Sequence, residues 1–209
     1  PLSLAVEAAL EEINKANSAT GGMLGVPTGF SELAAMTNGF AGGQMIIIAA
    51  RPATGKSTLA LDVARNASVH AGATTVLFWL EMGRAEIAMR LLAAEATIPM
   101  QTLRKGALDN RDFQKLAATQ ARIAEAPLFI DDSPNMTLVE IRAKCRRLKQ
   151  QHGLKMVVID YLQLLSSGKK SESRQQEVSE FSRALKLLSK EIDVPVIALS
   201  QLNRASEQR

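Results

Sequence analysis

The run Ala50-Arg51-Pro52-Ala53-Thr54-Gly55-Lys56-Ser57-Thr58 lies between an apolar segment and a segment of helical pattern. That context separates a phosphate-binding P-loop from a chance Gly-Lys-Ser tripeptide. Backbone N–H groups of such a turn, with the helix start behind them, form a cradle for anions. Gly55 lets the backbone come close to the phosphates. Lys56 would reach the β- and γ-phosphates of a nucleoside triphosphate, and Ser57 would ligate Mg²⁺. The usual pattern opens on Gly, and here that position is Ala50. A Cβ excludes glycine-only backbone angles, so the expectation is a loop that tolerates alanine.

Three further polar residues share one placement, directly after an apolar run. Asp160 ends MVVID, as a Mg²⁺-holding Walker B aspartate would. LFIDD, ending at Asp131 and Asp132, has the same shape and is its rival; Asp160 is preferred. Glu81 ends VLFWLE and could orient and deprotonate an attacking water. Taken alone it reads as a solvated strand end; beside a P-loop it becomes the candidate base. Gln201, in Ser200-Gln201-Leu202-Asn203-Arg204, could hydrogen-bond a γ-phosphate and move when that group leaves.

These residues need elements to position them. Apolar runs at 45–50, 75–80, 128–131, 156–160 and 194–200 alternate with helical patterns at 56–71, 85–97, 110–125, 137–152 and 175–192. The runs lack period-two alternation, as strands buried on both faces do. The pattern predicts an α/β domain with a mostly parallel central sheet and flanking helices. Ligands bind at the carboxyl edge of such a sheet, where all four signals fall. Residues 1–17 predict a short amphipathic helix with Val6, Leu10 and Ile13 on one face. A helix this short needs a surface to pack on, in this domain or a second copy.

Composition is ordinary for a globular chain of 209 residues, 46% hydrophobic and 22% charged. No apolar run reaches the length of a membrane span and no signal peptide is visible at Pro1. The single cysteine, Cys145, suits a reducing compartment and a plain helix position. The expectation is a cytoplasmic protein. A net charge of +4 permits contact with a polyanion without requiring it.

With the residues in place, the chain resembles the RecA-type motor domain of bacterial replicative DNA helicases, the DnaB family, over nearly its whole length. GVPTGFSELAAMTNGFAGGQMIIIAARPATGKST is similar to that family's P-loop region, alanine included; LFWLEM, MVVIDYLQLL and VPVIALSQLNRASEQR are similar to its further motifs. IDYLQL together with SQLNR is the specific part. The resemblance implies ATP and Mg²⁺ as cofactors, Glu81 as the catalytic glutamate, Asp160 as the Walker B residue and Gln201 as the switch glutamine. It implies a RecA-like P-loop NTPase fold and a homohexameric ring around single-stranded DNA, coupling ATP hydrolysis to translocation and duplex unwinding. Primase and a helicase loader are the implied further partners. Residues 1–20 resemble a linker helix and tether that dock on the neighbouring subunit, and 21–209 an ATPase core lacking its C-terminal part. That part would carry a further DNA-contacting loop and an arginine finger acting in trans.

The polar stretch Ser166–Gln176 resembles a channel-lining loop, with Lys169, Lys170 and Arg174 as candidate phosphate contacts. The basic residues Arg142, Lys144, Arg146, Arg147 and Lys149 read instead as a solvated helix face or a subunit contact. Two other readings use the same residues: a strand-exchange or clock-type ATPase, and a nucleotide-gated assembly module that is not an enzyme.

Overall fold

In the computed structural model, the structure describes residues 1–18, 24–160 and 174–202. Its elements run α1 (Leu2–Ser18), α2 (Ser31–Thr37), β1 (Met45–Ala50), α3 (Lys56–Arg65), a π-helical turn (Asn66–His70), β2 (Thr75–Trp79), α4 (Arg84–Ala96), α5 (Met100–Lys105), α6 (Asn110–Ala124), β3 (Leu128–Asp131), α7 (Leu138–His152), β4 (Met156–Asp160), α8 (Arg174–Ile192) and β5 (Val196–Gln201). All five expected strands form, each within two residues of the expected limits. α2 and α5, of seven and six residues, were not expected from the pattern. The helix expected through 71 keeps α geometry only to Arg65 and then widens into the π turn.

The sheet order is β1-β5-β4-β2-β3, with every pairing parallel. The chain therefore leaves β1, crosses to the far side of the sheet, and returns through β4 and β5. Strand β5 separates the P-loop strand from β4, and β2 flanks β4 on its other side.

Alternate residues of each strand feed two separate cores. Val76, Phe78, Val157, Ile159, Val196 and Ala198 pack beneath α7 and α8, together with Ile141, Phe181 and Leu185. Leu77, Trp79, Met156, Val158, Ile197 and Leu199 pack beneath α3 and α4, together with Leu61, Val63, Ile87 and Leu91. The result is a three-layer sandwich of helices, sheet and helices. β2 and β4 are buried along their whole length, as their unbroken apolar runs require. β1 departs from the expectation of two-sided burial. It is an edge strand among the described residues, and Ile47 is 54% exposed.

Helix ends are held by local polar contacts. Asp109 and Asp112 form a reciprocal capping box at the start of α6, and Thr137 and Glu140 another at the start of α7. Between helices, the nearly buried Glu95 of α4 accepts from Arg65 of α3, His70 of the π turn and Arg122 of α6. Cys145 is fully buried on α7, and burial pushes its thiol up to about 12. It is an inert packing residue, as its helix position suggested.

Candidate active site

The P-loop turn begins where β1 ends and closes where α3 begins. Thr54 braces it: its Oγ1 donates to the Arg51 carbonyl at 2.8 Å. The left-handed residues of the turn are Ala53, at φ 63°, and Gly55, at φ 91°. Ala50 is the last residue of β1 and has no positive φ, so alanine at that position carries no backbone strain. Gly55 is the position that needs glycine. A Cβ there would meet no protein atom within 4 Å and would project into the open space of the cleft.

That cleft has a volume of about 290 Å³ and is lined by Arg51, Pro52, Ala53, Gly55, Lys56, Ser57, Thr58, Glu81 and Gln201. The sheet explains the convergence. Ala50 pairs with Gln201, and the Leu202 N–H donates to the Ala50 carbonyl at 3.0 Å, which sets the β5 end beside the loop. Trp79 pairs with Asp160, so Glu81, two residues on, emerges next to the end of β4. Glu81 is exposed in the cleft. Of the loop residues, Thr54 alone is outside the lining, its hydroxyl being turned back on the loop.

Asp160 sits behind Lys56. Its side chain is fully buried, and Lys56 Nζ donates to Asp160 Oδ1 at 2.9 Å. Asp160 Oδ2 has no hydrogen-bond partner among the described residues. A buried carboxylate with only one of its oxygens met by a donor is costly, and a carboxylate is the group a hard cation such as Mg²⁺ selects. With Ser57 on the first turn of α3, the donor set fits that ion.

The rival aspartates are used elsewhere. Asp131 accepts from Lys144 and Ser133, and Asp132 accepts from the backbone N–H and guanidinium of Arg84. The Arg84 guanidinium and N–H hold the Asp132 carboxyl down at about 2. Both aspartates lie at the end of β3, the sheet edge opposite β1. The pairing of Asp132 with Arg84 ties the start of α4, just after Glu81, to that strand. Sequence spacing did not signal this clamp, because its partners are 48 residues apart.

The basic helix face of α7 is largely committed within the chain. Arg142 and Arg146 pair with Glu191 of α8, and Lys144 with Asp131. Lys169 and Lys170 lie outside the described residues, and Arg174 opens α8. The apolar residues Val6, Leu10 and Ile13 of α1 are exposed.

A parallel sheet in this order, a P-loop at its edge strand and acidic residues at the ends of its two central neighbours define a P-loop ATPase-type domain. The DnaB-like helicase C terminal domain model matches residues 25–209, and the chain belongs to that family. The chain is 69% identical over its full length to the replicative DNA helicase DnaB of Leifsonia xyli subsp. xyli, of which it covers 46%. It is 48% identical over 200 residues to the DnaB of Geobacillus stearothermophilus, covering 95% of this chain and 44% of that protein. The chain thus spans about half the length of these curated relatives. Among solved structures, a DnaB-like replicative helicase described with its primase interactions superposes with a TM-score of 0.87 at 38% identity, over 97% of this chain and 49% of that one. A solved ATPase domain superposes with a TM-score of 0.91 at 37% identity, over all of this chain and 74% of that one. No described helix is long and apolar enough to cross a membrane.

Proposed function

We propose that this chain is the ATP-hydrolysing motor of a replicative DNA helicase, working as a homohexameric ring on single-stranded DNA. One observation carries the reading. Three sequence-distant elements deliver Lys56, Ser57, Glu81 and Gln201 to a single cleft, with Asp160 of a fourth directly behind Lys56.

Each residue has a task set by its position. The loop from Arg51 to Thr58 wraps the phosphates, with Gly55 leaving room where a side chain would intrude. Lys56 exchanges Asp160 for the β- and γ-phosphates. Ser57 and Asp160 are the residues that would hold Mg²⁺. When bound, that ion supplies positive charge against the charge developing on the transferred phosphoryl group. Glu81 orients the attacking water and accepts its proton. Gln201, at the end of the strand beside the P-loop, registers whether a γ-phosphate is present and passes that state into β5 and the residues after it. Lys169, Lys170 and Arg174 are the proposed phosphate contacts to DNA. The exposed stripe of α1 is proposed to dock on the neighbouring subunit, with residues 1–20 as linker and tether and 21–209 as the ATPase core. Primase and a loader are the proposed partners of the assembled ring, and the cytoplasm its compartment.

The decisive experiment is ATP-driven unwinding of a forked duplex, run beside Lys56→Ala. The variant is expected to lose nucleotide binding and unwinding together. Negligible ATP turnover by the wild type, even with single-stranded DNA present, would select a nucleotide-gated assembly module instead. Filaments on DNA without unwinding would select a strand-exchange ATPase.

A further inference from the structure

Two buried side-chain atoms among the described residues have no hydrogen-bond partner, and they are complementary: the indole N–H of Trp79, a donor, and Oδ2 of Asp160, an acceptor. They belong to residues paired in register across adjacent parallel strands. They also share a face of the sheet. Trp79 is packed with Leu77, Met156 and Val158 beneath α3, and strand alternation puts Asp160 on the same side as Met156 and Val158. Lys56, from the start of α3, reaches Asp160 on that side. Trp79 is 1% exposed and Asp160 fully buried, so bulk water serves neither atom.

We propose that Trp79 is a positioning residue for Asp160: its indole N–H, which makes no direct hydrogen bond to Oδ2, holds that oxygen across one water and thereby fixes the direction of Oδ1. The physical need is plain. An aspartate at a strand end rotates about its terminal torsion, and a carboxylate that must pass from Lys56 to a cation requires one oxygen anchored while the other changes partner. An indole N–H suits this, since it only donates, carries no charge and cannot compete for the cation. Its ring is immobilised by the core around it, so the anchor stays when Lys56 leaves. The inference rests on the proposed role of Asp160 at the metal and adds a residue to it.

The chain has a single tryptophan, so ¹⁵N-tryptophan labelling gives one indole N–H signal. Asp160→Asn weakens a charge-assisted acceptor to a neutral one. The indole signal is expected to move upfield and exchange faster, while methyl signals of Leu77 and Val158 stay in place. In Trp79→Phe, the Mg²⁺ concentration for half-maximal ATP turnover is expected to rise about tenfold, the size typical of losing a group that orients a metal ligand. The ATP KM at saturating Mg²⁺ is expected to hold. An indole signal indifferent to Asp160→Asn overturns the proposal, as does an unchanged Mg²⁺ requirement in a folded Trp79→Phe. If that variant does not fold, the wild-type signal and its response to Asp160→Asn decide alone. Retained nucleotide binding in Lys56→Ala would defeat the proposed function instead, and leaves the indole result to be read on its own.

Discussion

Glu81 and Asp160 are both acidic residues at the ends of apolar strands, yet their surroundings differ. Asp160 is sealed behind Lys56, which occupies its Oδ1. Glu81 is exposed in the cleft, where a water and a phosphate have room. This division predicts that Glu81→Gln keeps nucleotide affinity and lowers ATP turnover by about 10²–10⁴, the usual contribution of a positioned base. Fluorescent-nucleotide titration and phosphate release measure the two properties separately. Equal loss of both would remove Glu81 from the catalytic role. The glycine requirement also belongs to this scale: Gly55 meets it through its positive φ, whereas Ala50, the departure from the usual pattern, sits in ordinary extended strand.

At the scale of elements, the site depends on how firmly the helices are fixed to one another and to the sheet. The Thr137–Glu140 box starts α7, whose residues Ile141 and Cys145 are buried in the core under β4. Thr137→Ala is expected to cost about 0.5–2 kcal/mol by chemical denaturation, the range for loss of an N-cap, with catalysis little changed. Glu95 joins α3, α4 and α6 through Arg65, His70 and Arg122. Burial pushes its carboxyl up, but the hydrogen bonds from Arg65 and His70 outweigh burial and leave it below the ordinary range. A depressed carboxylate contributes stability that is complete above its unfolded value, near ~4.3, and is lost as the pH falls through the folded value. Glu95→Gln is therefore expected to lower stability at neutral pH by about 1–3 kcal/mol. It should also flatten the fall in stability below about pH 4.5. Thermal melts across the acid range check both.

For the whole molecule, the net charge of +4 matters only through where the charges remain available. Three of the five basic residues noted on α7 are held by Glu191 and Asp131, which leaves the 166–176 stretch as the better candidate for a DNA-facing surface. If Lys169, Lys170 and Arg174 each neutralise one phosphate, their joint replacement by alanine should reduce the slope of log affinity against log salt for single-stranded DNA by about 2. Binding should weaken alike for all sequences, since phosphate contacts read none. An unchanged slope in a fluorescence-anisotropy titration would place the DNA contacts elsewhere.

The residue types of the site and the strands that carry them were legible in the sequence, because both are local signals: an apolar run ended by a polar residue, and a Gly-Lys-Ser turn before a helix. Val157 to Asp160 reads as a buried strand and its end without knowledge of any neighbour. The short helices α2 and α5 escaped, since six or seven residues carry too little periodicity to stand above chance. The half-exposure of β1 escaped as well, because Ile46, Ile47 and Ile48 look alike in sequence and only the sheet makes Ile47 an outer residue. Tertiary structure alone decided the order β1-β5-β4-β2-β3, and with it the placement of Asp160 against Lys56 and of Asp131 and Asp132 at the far edge of the sheet. It also set Lys56 against a carboxylate 104 residues away and Trp79 beside the same group. The physical reason is one of range. Side-chain periodicity encodes which faces are buried, but which strand lies next to which depends on crossovers and on packing that many separated residues settle together.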